Sequence, residues 1–510
     1  MLLIATAVPA VTSVKNTAIN ATIPSPPRTS MATIWTEEQK FLASDGAAGD
    51  EFGIYTSLDG DTALIGASGD NDNGADSGSA YVFTRSGTTW TQQQKLLASD
   101  GGPGALFGCS VSLDGNTALI GAQEYVSGGN GSAYVFTRTG TTWVQQAKLL
   151  ASDGAAWDNF GVYVFLSGDT ALIGADRDDD NGENSGSAYV FTRTGTTWTQ
   201  QQKLLPSDGA AEDIFGVSVS LSGDTALIGA WYDDDNGTDS GSAYVFTRSG
   251  TTWTQQQKLL APDGAAADWF GNSVFLSGDT AIIAAPQDDD MGTNSGSAYI
   301  FTRTGTTWTQ QQKLLASDGA AGDLFSEWNV GLDGDTALIG AWYDDDNGAN
   351  SGSAYVFTRT GTTWTQQQKL LPSDGAAGDE FAGYSLSGDT ALITAYHDDD
   401  NGANSGSAYV FTRVGLTFSI AGGIGVKAVI KNNGTSDATG VPWQIHVEGG
   451  ILKMINKTVN GTIDIPAGKS VTVKTGMLFG FGAISITAKV ADEEQTATGT
   501  QLIIFSMVPK

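Results

Sequence analysis

Cysteine and histidine are almost absent from this chain, whose 510 residues include one Cys and two His. The single thiol, Cys109, cannot form an intramolecular disulfide, and it is expected to be a small buried residue. His397 and His446 fall in segments of different sequence character. Neither a His-based catalytic pair nor a His-rich metal site is therefore expected.

Basic residues and long apolar runs are also scarce. Lys and Arg number 25 against 56 Asp and Glu, which gives a formal net charge of −31. Such a surface repels nucleic acid and anionic membranes, and it favours cations or basic partners. The apolar runs near the two ends, 1–13 and 502–508, are too short to span a bilayer. The first ends in small residues and is interpreted as a signal remnant, with a disordered N-terminus as the alternative.

One unit of about 55 residues is repeated through most of the chain. In a typical copy, four runs of alternating, β-branched or aromatic residues are separated by Ser-Gly-Asp, Asp/Asn/Gly and Asp-Gly-Ala-Ala turns. The runs are Val217–Leu221, Thr225–Ala230, Ser242–Arg248 and Thr252–Leu260. This pattern predicts four antiparallel strands. Because one such sheet cannot bury both of its faces, the copies must pack against each other, as propeller blades do.

A Trp in the fourth strand of the unit and a Phe at the start of the first strand each occur seven times. The chain nevertheless begins and ends out of phase with the four-strand unit. It enters on a Trp-containing strand, 34–42, and leaves the repeats after the third strand of the last copy, at Arg413. The simplest arrangement is a ring of seven blades in which the N-terminal strand completes the last blade and removes the unpaired edges. An open solenoid is the alternative. The recurring markers are Trp35, Trp90, Trp143, Trp198, Trp253, Trp308 and Trp364, and Phe52, Phe107, Phe160, Phe215, Phe270, Phe325 and Phe381.

The repeats resemble the FG-GAP repeats of integrin-type propellers. Phe215-Gly216 with Gly229-Ala230 illustrates the motif, and copies six and seven depart from it at Ser326 and Ala382. The predicted fold is all-β: a seven-bladed propeller at 33–413, preceded by a signal remnant and linker at 1–32. Residues 414–510 alternate with Gly, Asn and Pro turns and are predicted to form a small β-sandwich. That segment resembles CARDB-type immunoglobulin-like modules.

The spacing between the opening Phe and the Gly-Asp-Thr turn varies in the last two blades. It is nine residues from Phe52 to Asp61, ten from Phe325 to Asp335 and eight from Phe381 to Asp389. A one-residue change flips side chains or requires a bulge. The innermost strands of blades six and seven are therefore expected to be irregular, and the channel locally asymmetric.

Acidic residues concentrate in the loop between the second and third strands of six blades. In integrin-type blades the calcium loop lies one turn earlier, where this chain has only short turns. Adjacent carboxylates repel each other, and a calcium ion with oxygen ligands would relieve that repulsion. The alternative is a solvated turn. The predicted calcium ligands are Asp70, Asp72, Asp178, Asp180, Asp233, Asp235, Asp288, Asp290, Asp344, Asp346, Asp398 and Asp400.

Strand alternation places these acidic loops on the same face as the Asp-Gly-Ala-Ala loops, and we name this face the acidic-loop face. Several of its positions differ between copies and are aromatic, whereas the framework is nearly constant. That contrast is typical of a binding face, although packing between blades is an equal alternative. The Gln and Lys of the outer strands are interpreted as solvated edge residues. The predicted ligand-binding residues are Trp231, Tyr232, Trp269, Trp342, Tyr343 and Tyr396.

The leading interpretation is a non-catalytic extracellular or cell-surface adhesion protein that binds a protein or glycan, with calcium as the one candidate cofactor. A polysaccharide-acting enzyme using paired carboxylates is one alternative, and a structural envelope component is another. The acids repeat almost identically around the ring, and the sequence contains no Ser-His-Asp set, phosphate loop or zinc motif. The sequence therefore favours binding without catalysis.

Overall fold

The computed structural model describes residues 30–124, 128–421, 425–450, 453–478, 482–491 and 493–501. These residues form 34 β-strands and no α-helix. Trp35–Val414 form one compact unit, and a second unit comprises the described residues before Trp35 together with those from Gly415 onward. No helix in the described ranges is long and apolar enough to cross a membrane.

The larger unit contains seven antiparallel blades, and in each the first strand is innermost. The first strand of all, β1, spans Ser30–Phe41. Blades one to three are β2 (Phe52–Asp59), β3 (Thr62–Ala67), β4 (Ser79–Ser86) and β5 (Thr89–Leu96); β6 (Phe107–Asp114), β7 (Thr117–Ala122), β8 (Ser132–Thr139) and β9 (Thr142–Leu149); and β10 (Val164–Ser167), β11 (Thr170–Ala175), β12 (Ser187–Thr194) and β13 (Thr197–Leu204). Blades four and five are β14 (Val219–Ser222), β15 (Thr225–Ala230), β16 (Ser242–Ser249) and β17 (Thr252–Leu259); and β18 (Val274–Ser277), β19 (Thr280–Ala285), β20 (Ser297–Thr304) and β21 (Thr307–Leu314). Blades six and seven are β22 (Phe325–Asp333), β23 (Thr336–Ala341), β24 (Ser353–Thr360) and β25 (Thr363–Leu370); and β26 (Phe381–Ser387), β27 (Thr390–Ala395) and β28 (Ser407–Ala421).

The Phe-Gly and Gly-Ala elements of the repeat allow neighbouring blades to approach closely. Phe215 is fully buried, and its ring meets that of Tyr244 edge-on at a centroid distance of 5.4 Å. A Cβ on Gly229 would clash with the carbonyl oxygen of Gly271 in the next blade. Glycine at position 229 is therefore required by the backbone contact between blades four and five.

Side chains also connect each blade to the next. Gln202 of blade three exchanges two hydrogen bonds of 2.8 Å with the backbone of Trp253 in blade four. Arg248 of blade four donates to Asp224 in its own blade and to Thr170 of blade three. The prediction that the outer-strand glutamines are solvated edge residues is wrong, because their amides pair with the backbone of the adjacent blade.

The N-terminal strand supplies the fourth strand of blade seven, as predicted. β1 pairs with β28. Trp35 exchanges hydrogen bonds of 2.8 Å with Gln368 of blade six, and Gln39 pairs in the same way with Trp90 of blade one. Leu58 of blade one donates to Ser385 of blade seven at 2.8 Å. These contacts repeat the links found between other blades, so the ring is closed.

The innermost strands are irregular, but the irregularity is more widespread than predicted. Register shifts follow the opening Phe in blades one and two as well as in blades six and seven. In blade six, four residues separate Phe325 from Val330, whereas three separate Phe52 from Thr56. The extra residue of blade six lies between Phe325 and Val330, in the stretch that contains Trp328 of the channel mouth.

The C-terminal part of the chain contributes two further groups of paired strands. One comprises the end of β28, β29 (Lys427–Asn432) and β32 (Ser470–Lys474), and the other comprises β31 (Ile455–Ile465), β30 (Ala438–Gly449), β33 (Gly482–Val490) and β34 (Glu493–Gln501). β28 continues across the predicted domain boundary at residue 413, and β1 starts before the predicted boundary at residue 33. The immunoglobulin-like or CARDB-like assignment stays a prediction, and the apolar runs 1–13 and 502–508 lie outside the described residues.

Candidate functional site

The loops after the second and fourth strands lie together, as strand alternation predicts. In blade four, Nζ of Lys258 lies 3.0 Å from Asp208, in the loop that precedes the blade, and 2.7 Å from both Asp233 and Asp235, in the loop between β15 and β16. The hydroxyl of Tyr244 donates to Asp233 at 2.8 Å. One ammonium therefore joins three carboxylates on the acidic-loop face.

We call this arrangement the lysine clamp, and it recurs in six blades. The lysine stands opposite the tyrosine of the third strand, as in the Tyr244–Lys258 pair of blade four. In blade seven the lysine is Lys40 of β1. The other clamps are Lys95 with Asp45, Asp70 and Asp72; Lys203 with Asp153, Asp178 and Asp180; Lys313 with Asp263, Asp288 and Asp290; Lys369 with Asp318, Asp344 and Asp346; and Lys40 with Asp374, Asp398 and Asp400.

The clamp bears directly on the predicted calcium ligands. Carboxylate oxygens of Asp318, Asp344 and Asp346 lie within 4.8 Å of one another, a spacing that suits a cation. Nζ of Lys369, however, is 2.6–3.0 Å from all three carboxylates. A calcium ion cannot share that position with an ammonium. The sequence predicts calcium at these residues, but they do not fit calcium while the lysine is in place, so we expect no calcium in the clamps of the intact chain.

The pKa of the clamp lysine indicates that its ammonium stays charged. Burial works against the charged form of Lys258, but hydrogen bonds to Asp233, Asp235, Tyr244 and Asp208 hold its pKa well above the ordinary value. Its side chain is 15% exposed, and that of Asp233 is 5% exposed. The prediction that the outer-strand lysines are solvated edge residues is therefore wrong.

A cavity of about 640 Å³ opens at the centre of the acidic-loop face. Its base is formed by side chains that meet across the channel. Tyr163 of blade three donates a hydrogen bond of 2.8 Å to the carbonyl of Trp328 in blade six, and its ring meets that of Tyr55 edge-on at 5.2 Å. Tyr55 and Tyr163 also line a second cavity on the other side. The channel is thus closed at this level, and the larger cavity, which we call the mouth pocket, is blind.

Aromatic side chains from blades four, six and seven form one side of the mouth pocket. Trp231 stacks on Tyr232 with a centroid distance of 4.9 Å. It also contacts Trp269 at 5.0 Å and Trp328 at 5.7 Å. The rings of Trp342 and Tyr396, from blades six and seven, are 5.0 Å apart.

The polar side chains of the mouth pocket come from blades one to three, where they lie among apolar ones such as Ile54, Leu106 and Val162. Glu51 accepts a hydrogen bond of 3.2 Å from Ser68, and Asp176 accepts one of 3.2 Å from Asn159. Arg177 follows Asp176 in the same loop and also lines the pocket. Burial raises the pKa of Asp176 to about 6, and the hydrogen bond from Asn159 offsets part of that rise.

The residue before each opening Phe adopts a left-handed backbone conformation. The φ angles include 55° at Glu51, 59° at Asn159, 57° at Ile214 and 59° at Trp269. Bulky or β-branched residues adopt this conformation at an energetic cost. Three of the seven such positions, Glu51, Leu106 and Asn159, line the pocket, so the strained turns shape the site.

The six predicted ligand-binding residues lie close to one another, but they differ in exposure and position. Trp231, Trp342 and Tyr396 line the mouth pocket. Tyr232 and Trp269 pack against Trp231 behind the lining. Trp342 is only 6% exposed, and its indole nitrogen donates to the carbonyl of Glu327. Tyr343, at 36% exposure, faces solvent.

Trp328, which is 38% exposed and lines the pocket, was not among the residues predicted from the sequence. It lies in the blade whose inner strand has the extra residue, so the unusual spacing was the available signal. Tyr55, Tyr163 and Arg177 were also missed. The sequence of a single repeat does not indicate which of its residues will contact a residue of a blade across the channel.

Glu327 is a buried acid beside the pocket and provides a test of the electrostatics. Burial, reinforced by the charge of Glu380, raises its pKa from 4.5 to about 7. The folded protein therefore holds a proton between pH 4.5 and 7 that the unfolded chain has lost, so the stability contributed by this group falls as the pH rises through that window. Asp176 acts in the same direction over a lower window.

We expect Glu327→Gln to stabilise the protein increasingly as the pH rises. The variant should match the wild type near pH 4 and exceed it by about 3 kcal/mol above pH 7, because it removes the cost of ionising a buried acid. Unfolding by denaturant between pH 4 and pH 8 measures this difference. A difference that does not change with pH would show that Glu327 ionises in the folded state as it does in water.

A closed ring of seven four-stranded sheets with a blind pocket at one mouth defines the class: the protein is a seven-bladed β-propeller. The family model described as "FG-GAP repeat" matches residues 35–83, 90–136, 143–191, 198–246, 253–301, 308–357 and 364–411. The chain therefore belongs to the FG-GAP repeat family. It is also similar to integrin alpha-D of Homo sapiens, with 27% identity over 150 residues. That match covers 26% of this chain and 12% of integrin alpha-D.

Proposed function

We propose that this protein is a non-catalytic binding or adhesion protein of the cell surface or extracellular space, and that its acidic-loop face holds the ligand. The observation that carries the proposal is the mouth pocket. Framework positions are nearly the same in every blade, yet the loop positions that meet at this pocket differ, from Ser68 and Gln123 to Trp231 and Trp342. A site built from non-equivalent loops on a constant scaffold is suited to binding one ligand.

The family relationship supports an extracellular role. The seven repeat matches cover most of the chain, and the similarity to integrin alpha-D, though confined to a small part of that protein, lies within the same class. The net charge of −31 favours a basic or neutral partner over nucleic acid. The proposed ligand classes are accordingly a protein or a glycan.

Catalysis by the repeated aspartates is not proposed. A pair of carboxylates can hydrolyse glycosides only if one of them is free to protonate a leaving group and the other to attack or activate water. In six blades, the first and third aspartates of the loop are held by a lysine ammonium at 2.6–2.9 Å. We infer that these ion pairs stabilise the loops and that the paired aspartates do not take part in a reaction.

Arrays of extracellular proteins and glycans, probed with the labelled full chain, test this function. We expect saturable binding that falls by about tenfold or more in the double variant Tyr232→Ala/Tyr343→Ala, because Tyr232 supports Trp231 of the pocket lining and Tyr343 is exposed next to Trp342 of that lining. Val144→Ala is the matched control, since Val144 is 59% exposed on the outer strand β9, away from the pocket. Saturable binding that both variants retain would place the ligand elsewhere, and no saturable binding on either array would contradict the proposal.

A further inference from the structure

We propose that the mouth pocket is a saccharide site that takes a neutral sugar unit, with its apolar face against the tryptophans and its hydroxyls toward blades one to three. This inference rests on the proposed function, because it names the ligand class of the same face. It depends on three features of the pocket: its two unlike sides, its mixture of hydrogen-bond donors and acceptors, and its closed base.

The two sides of the pocket match the two kinds of surface on a sugar ring. A pyranose has an apolar face of C–H groups and a rim of hydroxyls. The wall from blades four, six and seven presents Trp231, Trp328, Trp342 and Tyr396, whose flat rings suit an apolar face. The wall from blades one to three presents carboxylate, amide, hydroxyl and guanidinium groups beside the apolar side chains of Ile54, Leu106 and Val162. A ligand that is apolar on one side only therefore fits better than a wholly apolar one.

The polar wall favours a neutral ligand over an ion. Glu51 and Asp176 are acceptors, Arg177 is a donor, and Gln123 can serve as either. An anion would meet the carboxylates of Glu51 and Asp176, and an ammonium ligand would meet the guanidinium of Arg177 beside those carboxylates. A hydroxyl both donates and accepts, so several hydroxyls can use the whole set.

The dimensions of the pocket limit the size of the ligand. Its volume of about 640 Å³ lies within the usual range of small-molecule sites. The Tyr163–Trp328 hydrogen bond closes its base, so a long polymer cannot thread through the ring. We therefore infer a terminal or branch-end sugar unit, alone or with one neighbour, rather than the interior of a linear chain.

Calorimetric and tryptophan-fluorescence titrations of the full chain test the inference. The probes are methyl glycosides of glucose, galactose, mannose, xylose, fucose and N-acetylglucosamine, together with cellobiose and lactose. Tetramethylammonium and acetate serve as cationic and anionic probes. We expect at least one neutral sugar to bind with a millimolar or lower dissociation constant, and neither ion to bind.

Variants locate the bound sugar. Trp328→Ala should weaken binding by about tenfold or more, because it removes the partly exposed stacking surface. Trp328→Phe should retain part of the affinity, and Arg177→Met should weaken binding through the polar wall. Trp157→Ala is the matched control, since Trp157 is 51% exposed on the acidic-loop face but does not line the pocket. Thermal melts identify any variant that has lost its fold. If Trp328→Ala is one of them, the affinity of Trp328→Phe, which keeps an aromatic ring, is compared with that of the wild type instead.

Each outcome of the titrations bears on the inference. It is overturned if no sugar in the panel binds, if an ion binds instead, or if sugar binding is the same in Trp328→Ala as in the wild type. If no sugar binds but array proteins still bind through Tyr232 and Tyr343, the saccharide inference fails and the proposed function stands. If neither sugars nor array ligands bind, both fail.

Discussion

Removing residues 1–41 is expected to prevent the propeller from folding cooperatively, and a chain that lacks only residues 1–29 is the reference for that comparison. β1 provides the fourth strand of blade seven, and without it the ring has an open edge on each side of the gap. Trp35 and Phe41 are 4% and 2% exposed. Burial of two such side chains contributes several kcal/mol, against a typical total stability of about 5–15 kcal/mol.

Hydrogen bonds and ion pairs are lost with the same strand. Trp35 pairs with Gln368, Gln39 pairs with Trp90, and Lys40 forms the clamp of blade seven. The deletion therefore weakens the contacts of blade seven with both of its neighbours. An exposed sheet edge also invites pairing with other chains. We expect the shorter chain to be aggregated or to melt without a cooperative transition in calorimetry.

A point substitution tests the same role without deleting a strand. Trp364, in β25, holds the position in blade six that Trp35 holds in blade seven, with 2% exposure. If β1 is a full member of the ring, Trp35→Ala and Trp364→Ala should each cost about 3–5 kcal/mol. A cooperative, unshifted melt for the 1–41 deletion, or a Trp35→Ala cost near zero, would mean that β1 does not close the ring.

Replacing one clamp lysine is expected to destabilise the protein and to create a calcium response that the wild type lacks. Lys258→Met keeps most of the aliphatic side chain and removes the ammonium. Asp233, which is nearly buried, then loses its cationic partner. Removing one member of a buried ion pair costs about 3 kcal/mol, and that amount is the expected loss of unfolding free energy.

The expected calcium response of Lys258→Met follows from the carboxylates that remain. Without the ammonium, Asp208, Asp233 and Asp235 still surround its former position, and oxygen ligands of this kind suit calcium when water completes the shell. Millimolar calcium, but not magnesium, should raise the melting temperature of Lys258→Met, because binding to the folded state alone stabilises it. The wild type should melt at the same temperature in EDTA and in calcium.

Blade two contains the matched control for this experiment. Its loop lacks the aspartate run, so Lys148 lies 2.8 Å from Asp100 but 3.8 Å from Glu124, and its side chain is 29% exposed. Lys148→Met should cost less than half as much as Lys258→Met and should show no calcium response. Equal costs for the two substitutions, or a calcium-specific rise in the wild type, would contradict the lysine clamp.

The fold was predictable because its signals are local and repeated. Alternation between residues 225 and 230 predicts β15 with the bounds that the structure has. The chain has one extra strand before the first repeat and lacks the fourth strand of the last repeat. This phase predicts the pairing of β1 with blade seven. Neither prediction requires knowledge of how one blade contacts another.

The site was harder to predict because it depends on contacts between segments far apart in the chain. Lys258 reaches Asp233 because β16 places Tyr244 opposite Ile228 on one side and opposite Lys258 on the other. The recurrence of that Tyr and Lys in every copy was visible, but their proximity to the acidic loop depends on the strand register. The Tyr163–Trp328 contact joins blades on opposite sides of the ring, and no repeat pattern encodes it.

The most direct test of binding at the channel mouth is an equilibrium titration, in EDTA, of the full chain with its strongest array ligand. The wild type and Tyr232→Ala/Tyr343→Ala are compared, and Val144→Ala serves as the control. The structure predicts saturable binding to the wild type without calcium, a loss of about tenfold or more in the double variant and no loss in the control. Equal affinity in all three proteins would contradict the assignment of the ligand to this face.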